Sequence, residues 1–398
     1  MQLDLDFVRN HFPAFSAPDL EGWAHLENAG GSYPCRQVCD RLAEIYGTMK
    51  VQPYWAFPAS AKLGALMDES RARLADALGV APDEVHIGPS TTQNAYVMAQ
   101  AFRQTLAPGD EIIVTDQDHE ANSGPWRRLA DEGFTVWIWP IDPETGSLDP
   151  AWLDGVLSER VKLVCLPHCS NIVAEINPVA EIVAKVHGAG AVCAVDGVSY
   201  APHGLPDVGA LGADIYFFSA YKTYGPHQGV MVIRRALAER LRAQGHYFND
   251  EIPTARFTPA GPDHAQVAVL GAMIDYFDAL SAHHGGGQAP ELMRAHEIAV
   301  MAPLVSYLAG RNDLRLIGPT DPAARAPTLS VVHARPGEDL AAELAGQKIM
   351  CGGGDFYSRR TVEALGVAPA HGVLRLSLAH YTSPEEVSRT IDALDRVL

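Results

Sequence analysis

Phe218-Ser219-Ala220-Tyr221-Lys222-Thr223-Tyr224-Gly225-Pro226 sets a lysine between an apolar run, 213–218, and a Gly-Pro turn. A lysine so placed sits at the end of a buried strand rather than on a solvated helix face. Twenty-six residues upstream (222 − 196), Asp196 ends a second apolar run, 191–195. A carboxylate closing one strand and a lysine closing a later one are the pair that pyridoxal phosphate chemistry needs. The lysine forms the Schiff base, and the carboxylate keeps the pyridine nitrogen protonated so that the ring acts as an electron sink.

Around this pair, from about residue 60 to 235, helical periodicity alternates with short β-branched apolar runs. Helices are predicted over 59–78 and 93–105, and strands over 84–87, 111–115, 135–138, 161–166 and 191–195. Such alternation predicts an α/β fold: a mostly parallel sheet, here of the seven-stranded type, covered by helices on both faces. Ligands of these sheets bind beyond the carboxyl ends of the strands.

After about residue 265 the pattern changes. Helices predicted over 264–282 and 289–309 flank a Gly-rich hinge, 283–287. Strand runs 314–317, 328–333, 349–351 and 373–378 follow, with a last helix over 384–398. The expected organisation is a large domain, 15–278, and a smaller α/β domain built from 1–14 and 279–398. The site is expected in the cleft between them.

Composition narrows the partners. The 398 residues are 47% apolar and 20% charged, as in ordinary globular enzymes, and the formal net charge is −18. An acidic surface repels nucleic acid and anionic membranes, so neither is expected as a partner. No run approaches the roughly 18 apolar residues that mark a membrane-spanning helix. Residues 1–10 carry acids where a signal peptide carries basic groups, so the expected location is cytoplasmic. Cysteines at 35, 39, 165, 169, 193 and 351 form no CxxC pair, so no metal site is expected; they read as small buried hydrophobes in a reducing compartment.

Other motifs fall at strand-to-helix loops. Gly88-Pro89-Ser90-Thr91-Thr92-Gln93-Asn94 opens a helix, where free amides and hydroxyls make either an anion site or an ordinary N-cap. The imidazole of Asp118-His119-Glu120-Ala121-Asn122 is placed to stack on a planar ring. In His168-Cys169-Ser170-Asn171, Asn171 is a candidate donor to a cofactor oxygen. Arg375, inside Val373-Leu374-Arg375-Leu376-Ser377-Leu378, breaks an apolar alternation and suits capture of a substrate carboxylate.

Taken in order, Ser-Thr-Thr, Asp-His-x-Ala-Asn, His-x-Ser-Asn, Val-Asp-Gly, Ser-x-x-Lys and Arg-x-Ser-Leu resemble the fold-type I, class V aminotransferases of the cysteine desulfurase group. The resemblance runs from Leu26-Glu27-Asn28-Ala29-Gly30 to the C-terminus. It implies that Lys222 carries pyridoxal 5'-phosphate, that Asp196 meets the pyridine nitrogen and that His119 stacks on the ring. It implies that Thr91, Thr92 and Ser219 hold the phosphate, with Ser90, Asn171, Ser199 and Tyr221 around the cofactor. It assigns Arg375, Ala29 and Asn171 to an amino acid substrate, and it implies a homodimer.

The chain also departs from that pattern. Where desulfurases of the group carry a loop cysteine that takes up sulfur, this chain has Cys351-Gly352-Gly353-Gly354-Asp355-Phe356-Tyr357-Ser358, with Tyr357 at the cysteine position. Tyr221 stands for a histidine and Ser199 for a glutamine. The expected activity is therefore chemistry at Cα and Cβ of an amino acid by β-elimination, as in a C–S lyase, without a persulfide cysteine. Transamination and epimerisation are the alternatives, and a catalytically inactive binding protein of the same fold is a third.

Overall fold

The computed structural model describes residues 2–286 and 288–398. After a two-residue strand β1 (Ala24–His25), the chain forms β2 (Val85–Gly88), β3 (Glu111–Thr115), β4 (Thr135–Trp139), β5 (Val161–Pro167), β6 (Val192–Asp196), β7 (Ile215–Ser219) and β8 (Gly229–Ile233). The last seven make one sheet in the order β2-β8-β7-β6-β5-β3-β4. Five neighbours, β4, β3, β5, β6 and β7, are parallel, while β8 runs antiparallel to both β7 and β2. Every residue of β2, β3, β6, β7 and β8 is buried, whereas β4, at the edge, alternates between exposed and half-buried positions up to the buried Trp139. Helices covering both faces explain the continuous apolar runs at the centre. β8, which no strand signal marked, is the element that closes the sheet between β2 and β7.

One predicted helix divides. Instead of a continuous helix over 264–282, the structure has His264–Ala268 and Leu270–His283, broken at Val269. Ser70 enters the ladder at the break: its hydroxyl donates to the Ala268 carbonyl at 2.8 Å and accepts from Gly271 N–H at 2.9 Å. A side chain that replaces backbone bonds in this way is a recognised cause of helix interruption. Of the predicted hinge, Gly287 lies outside the described residues.

Downstream come β9 (Leu314–Ile317), β10 (Thr328–His333), β11 (Ile349–Met350), β12 (Gly352–Gly354) and β13 (Val373–Ser377). Four of them make an antiparallel sheet, β12-β13-β10-β9, and β11 pairs in parallel with β1. The run predicted as one strand, 349–351, thus ends at Met350, and the glycines after it begin a strand of the second sheet. Glycine is required at Gly353 because a Cβ there would lie 2.1 Å from the Gly337 backbone. Leu304, Leu308, Leu340, Leu344 and Leu394, from three helices, fill the apolar face of this sheet with Leu329, Leu374 and Leu376. Among the described residues no helix is long and apolar enough to cross a membrane.

Strand register then positions the chemistry. Pro167, Asp196 and Phe217 pair across β5, β6 and β7, and Ser219, Gly229 and Gly88 pair across β7, β8 and β2. The loops that leave these ends converge on one cavity.

Candidate active site

The cavity has a volume of ≈ 180 Å³ and is lined by Ser90, Thr91, Thr92, His119, Asn171, Asp196, Ser199, Ser219, Tyr221 and Lys222, among others. These are the ten residues assigned to the cofactor from sequence, gathered from five separate loops. A larger surface groove of ≈ 760 Å³ lies between the N-terminal segment and the helices at 289–309 and 384–397, but few polar groups converge there. A volume below the roughly 300 Å³ of drug-sized ligand pockets suits one compact ligand.

Lys222 follows β7 in a short 3-10 turn, Ala220–Lys222, and is buried with 7% of its surface exposed. Among the described residues its Nζ donates to no acceptor; it lies 5.9 Å from the centroid of the Tyr221 ring. Burial, then the neighbouring Arg375 charge, lowers its pKa to about 8, while Asp196 and Glu27 pull in the other direction. A buried amine that is partly neutral near pH 8 is a nucleophile, which a solvated lysine is not.

Asp196 is held by the Val198 N–H at 2.8 Å, and burial raises its pKa to about 6 against that hydrogen bond and the Lys222 charge. A buried carboxyl with an acceptor to spare fits a protonated ring nitrogen. Beside it, Asp118 accepts from Thr115 Oγ1 at 2.7 Å and Asn122 Nδ2 at 2.9 Å, and burial raises its pKa to about 7. His119 begins the helix Glu120–Arg127 and its Nδ1 accepts from Ala121 N–H at 3.0 Å, which leaves the proton on Nε2. Burial, then Lys222 and Arg375, lowers its pKa to about 3. The ring is therefore neutral and suited to lie on a cationic heterocycle.

The helix Thr91–Arg103 supplies an anion cradle. Ser90 caps it by accepting from Gln93 N–H at 3.2 Å, and Thr91 Oγ1 bonds Ser219 Oγ at 2.8 Å. Gly229 makes this approach possible, since a Cβ there would lie 2.3 Å from Ser90 C and 2.4 Å from Thr91 N. Free first-turn amides and the helix dipole favour a phosphate at this point. A cradle of hydroxyls and amides, a buried carboxyl, a neutral imidazole and an unpaired amine fit pyridoxal phosphate.

Further contacts surround the cavity. Asn171 lines the cavity, but its amide also binds the segment at 355–358: Nδ2 donates to Phe356 O at 3.1 Å and Oδ1 accepts from Ser358 Oγ at 2.7 Å. Tyr357 is 77% exposed and its ring lies 5.7 Å from that of His119, while its carbonyl accepts from Glu120 N–H. Arg375 and Ala29 do not line the cavity; Ala29 N–H donates to Ser377 Oγ, and Arg375 pairs with Glu27. Sequence reasoning missed Glu27, His227 and Phe356. His227 lines the cavity and stacks on Tyr221 with ring centroids 4.6 Å apart. Its place in Gly225-Pro226-His227, five residues after Lys222, was the available signal. All six cysteines are free, with Cys39 and Cys351 only half-buried.

This fold and this lysine-centred cavity define a pyridoxal phosphate-dependent enzyme. The pattern of the family described as aminotransferase class-V matches residues 24–390, and the chain belongs to that family. It is 34% identical to the "Aminotransferase-like protein FGM3" of Gibberella zeae (strain PH-1), over 99% of this chain and 98% of that one. It is 30% identical to a "Cysteine desulfurase" of Dickeya dadantii (strain 3937), over 99% and 96%. The cysteine desulfurase CsdA of Escherichia coli has a similar fold, with a TM-score of 0.85 at 24% identity over 100% of this chain and 99% of that one.

Proposed function

We propose that the protein catalyses β-elimination from an amino acid that carries a sulfur leaving group at Cβ, without taking the sulfur onto a cysteine. The carrying observation is that the exposed tip beside His119 presents Tyr357 and not a thiol. Cys169 lines the cavity and Cys351 precedes the loop, and burial raises both pKa values to about 12. A thiol held protonated is a poor nucleophile. Tyr357, at the exposed tip beside His119, has no sulfur chemistry to offer.

When bound, the cofactor supplies a conjugated ring that accepts electrons from the substrate Cα. Thr91, Thr92 and Ser219, with the first amides of their helix, would hold its phosphate. Asp196 would hold the proton on the pyridine nitrogen, and His119 would cover one face of the ring and exclude water. Lys222, buried and partly neutral, would remove the Cα proton and pass a proton to the departing sulfur. With cysteine and water the balanced products are pyruvate, ammonia and hydrogen sulfide.

The exposed aromatic side chains Tyr54, Trp55, Phe57, Tyr247 and Phe248, on two segments that border one groove, support the homodimer implied by the resemblance, because exposed apolar groups of this size call for a cover. Sedimentation of the holoenzyme tests it, and a monomer across the concentration range would refute it.

The reaction is tested by incubating holoenzyme with cysteine, cystine and alanine and assaying pyruvate, sulfide and alanine. Pyruvate with sulfide and no added acceptor is expected from cysteine. Alanine as the product of cysteine would make the protein a desulfurase. A keto acid formed only with an added amino acceptor would make it an aminotransferase, the activity that the name of the Gibberella zeae relative suggests.

A further inference from the structure

Arg375, the side chain assigned above to the substrate carboxylate, already holds a carboxylate. Its Nη2 donates to Glu27 Oε1 at 2.8 Å, its Nη1 reaches the Asn171 carbonyl at 3.4 Å, and its Cζ lies 3.7 Å from the centroid of the Phe356 ring. The pair is unequal. The Arg375 side chain is 2% exposed and is fixed on β13 by pairing to Ser330 and Gly352 on either side. The Glu27 side chain is 31% exposed and sits beyond β1, beside glycines: a Cβ on Gly30 would lie 2.3 Å from Glu27 Oε1, and one on Gly352 would lie 3.3 Å from Oε2.

The pair is also incomplete. Arg375 Nε and Glu27 Oε2 are buried, and among the described residues neither has a hydrogen-bond partner. Glu27 thus engages the guanidinium through one contact, where a well-oriented carboxylate makes two parallel ones. Leaving Arg375 without any counter-ion would strand a buried charge.

We propose that Glu27 is a specificity-determining residue: a resident carboxylate that occupies Arg375 in the free enzyme and is replaced by a substrate carboxylate that binds it through two contacts. This rests on the assignment of Arg375 in the proposed function. Glu27 then acts as a threshold. A ligand with a carboxylate alone fails to displace it, and one whose amine is also anchored at Lys222 succeeds. The pair discriminates in favour of α-amino acids over simple carboxylic acids.

The test measures binding of propionate, L-alanine and L-alaninamide to holoenzyme by calorimetry, with thermal unfolding in the same ligands. Glu27→Gln keeps the shape and removes the competing charge. It is expected to bind propionate and alanine at least tenfold more tightly than wild type, with alaninamide unchanged within twofold. Its unfolding temperature should fall without ligand and recover with propionate. Glu27→Asp, one methylene shorter, should shift binding in the same direction and serves if the glutamine variant does not fold. Equal or weaker binding of alanine and propionate by these variants overturns the proposal, because Glu27 would then orient Arg375 rather than compete for it. Arg375→Met separates the two failures. If it weakens alanine but spares alaninamide, the assignment of Arg375 stands whatever Glu27 does; if it leaves alanine unchanged, the assignment and the proposal fall together.

Discussion

Lys222 is a buried amine with no acceptor among the described residues, so its protonation sets how fast it reacts. Its folded pKa, about 8, is below the 10.5 of a solvated lysine, and the neutral fraction grows as pH rises through 8. Uptake of pyridoxal phosphate by apoprotein, followed by visible absorbance, should therefore accelerate about tenfold between pH 7 and pH 9. Lys222→Ala should abolish both the absorption band and the activity. Asp196→Asn leaves the amine in place and removes the charge proposed above to hold the ring proton. It should retain the band and lose at least about tenfold in kcat/KM, given the 1.5–3 kcal/mol of a hydrogen bond to a charged group. Steady-state kinetics with the substrate found above decides this.

The segment from β12 to the helix Arg359–Ala364 is tied to loops that line the cavity. Asn171, Glu120 and Asp118 hold it through Phe356 O, Ser358 Oγ, Tyr357 O and Thr361 Oγ1, and both Phe356 and Tyr357 have positive φ, 50° and 58°. Ser358→Ala removes the donor to Asn171 Oδ1, a bond worth about 0.5–1.5 kcal/mol. Amide hydrogen exchange over 355–360 should speed up by roughly 2- to 12-fold, with little change elsewhere. Gly353→Ala acts at the root of the same element. Its methyl group meets the Gly337 backbone, and a loss of about 1–3 kcal/mol or more is expected in chemical denaturation.

At the scale of the molecule, burial holds five histidines neutral: His25 with its pKa lowered to about 4, His86, His119 and His168 to about 3, and His380 well below its usual value. Their unfolded forms bind protons below pH 6.5 and the native forms do not, so acidification from pH 6.5 toward 4 removes stability. Asp118 and Asp196 act in the opposite sense. Their raised pKa values give stability that is present at low pH and lost as pH rises through about 6 to 7. Each group contributes on the order of 1.4 kcal/mol per pH unit while it titrates in one state only, and five outweigh two. Urea denaturation should show the apoprotein less stable at pH 5 than at pH 7; a flat or reversed profile would contradict the buried neutral histidines.

By itself the sequence determined the class of fold and which residues gather at the cavity. Alternating periodicity marks the parallel strands; Asp196 ends one, His119 and Thr91 stand at helix starts, and Lys222 follows β7 in a short turn. Those positions follow from local pattern, because strand ends and helix starts are set by nearby residues. Tertiary structure alone decided what met across long separations. β8 fills the gap between β2 and β7, Ser70 breaks a helix 200 residues away, and Gly352 to Gly354 form a strand because β13 offers an edge. It also decided that Glu27 pairs with Arg375, 348 residues apart in the chain. No periodicity encodes such a contact. Burial forces it, since a guanidinium sealed beneath Phe356 needs a counter-ion and the fold brings one carboxylate within reach.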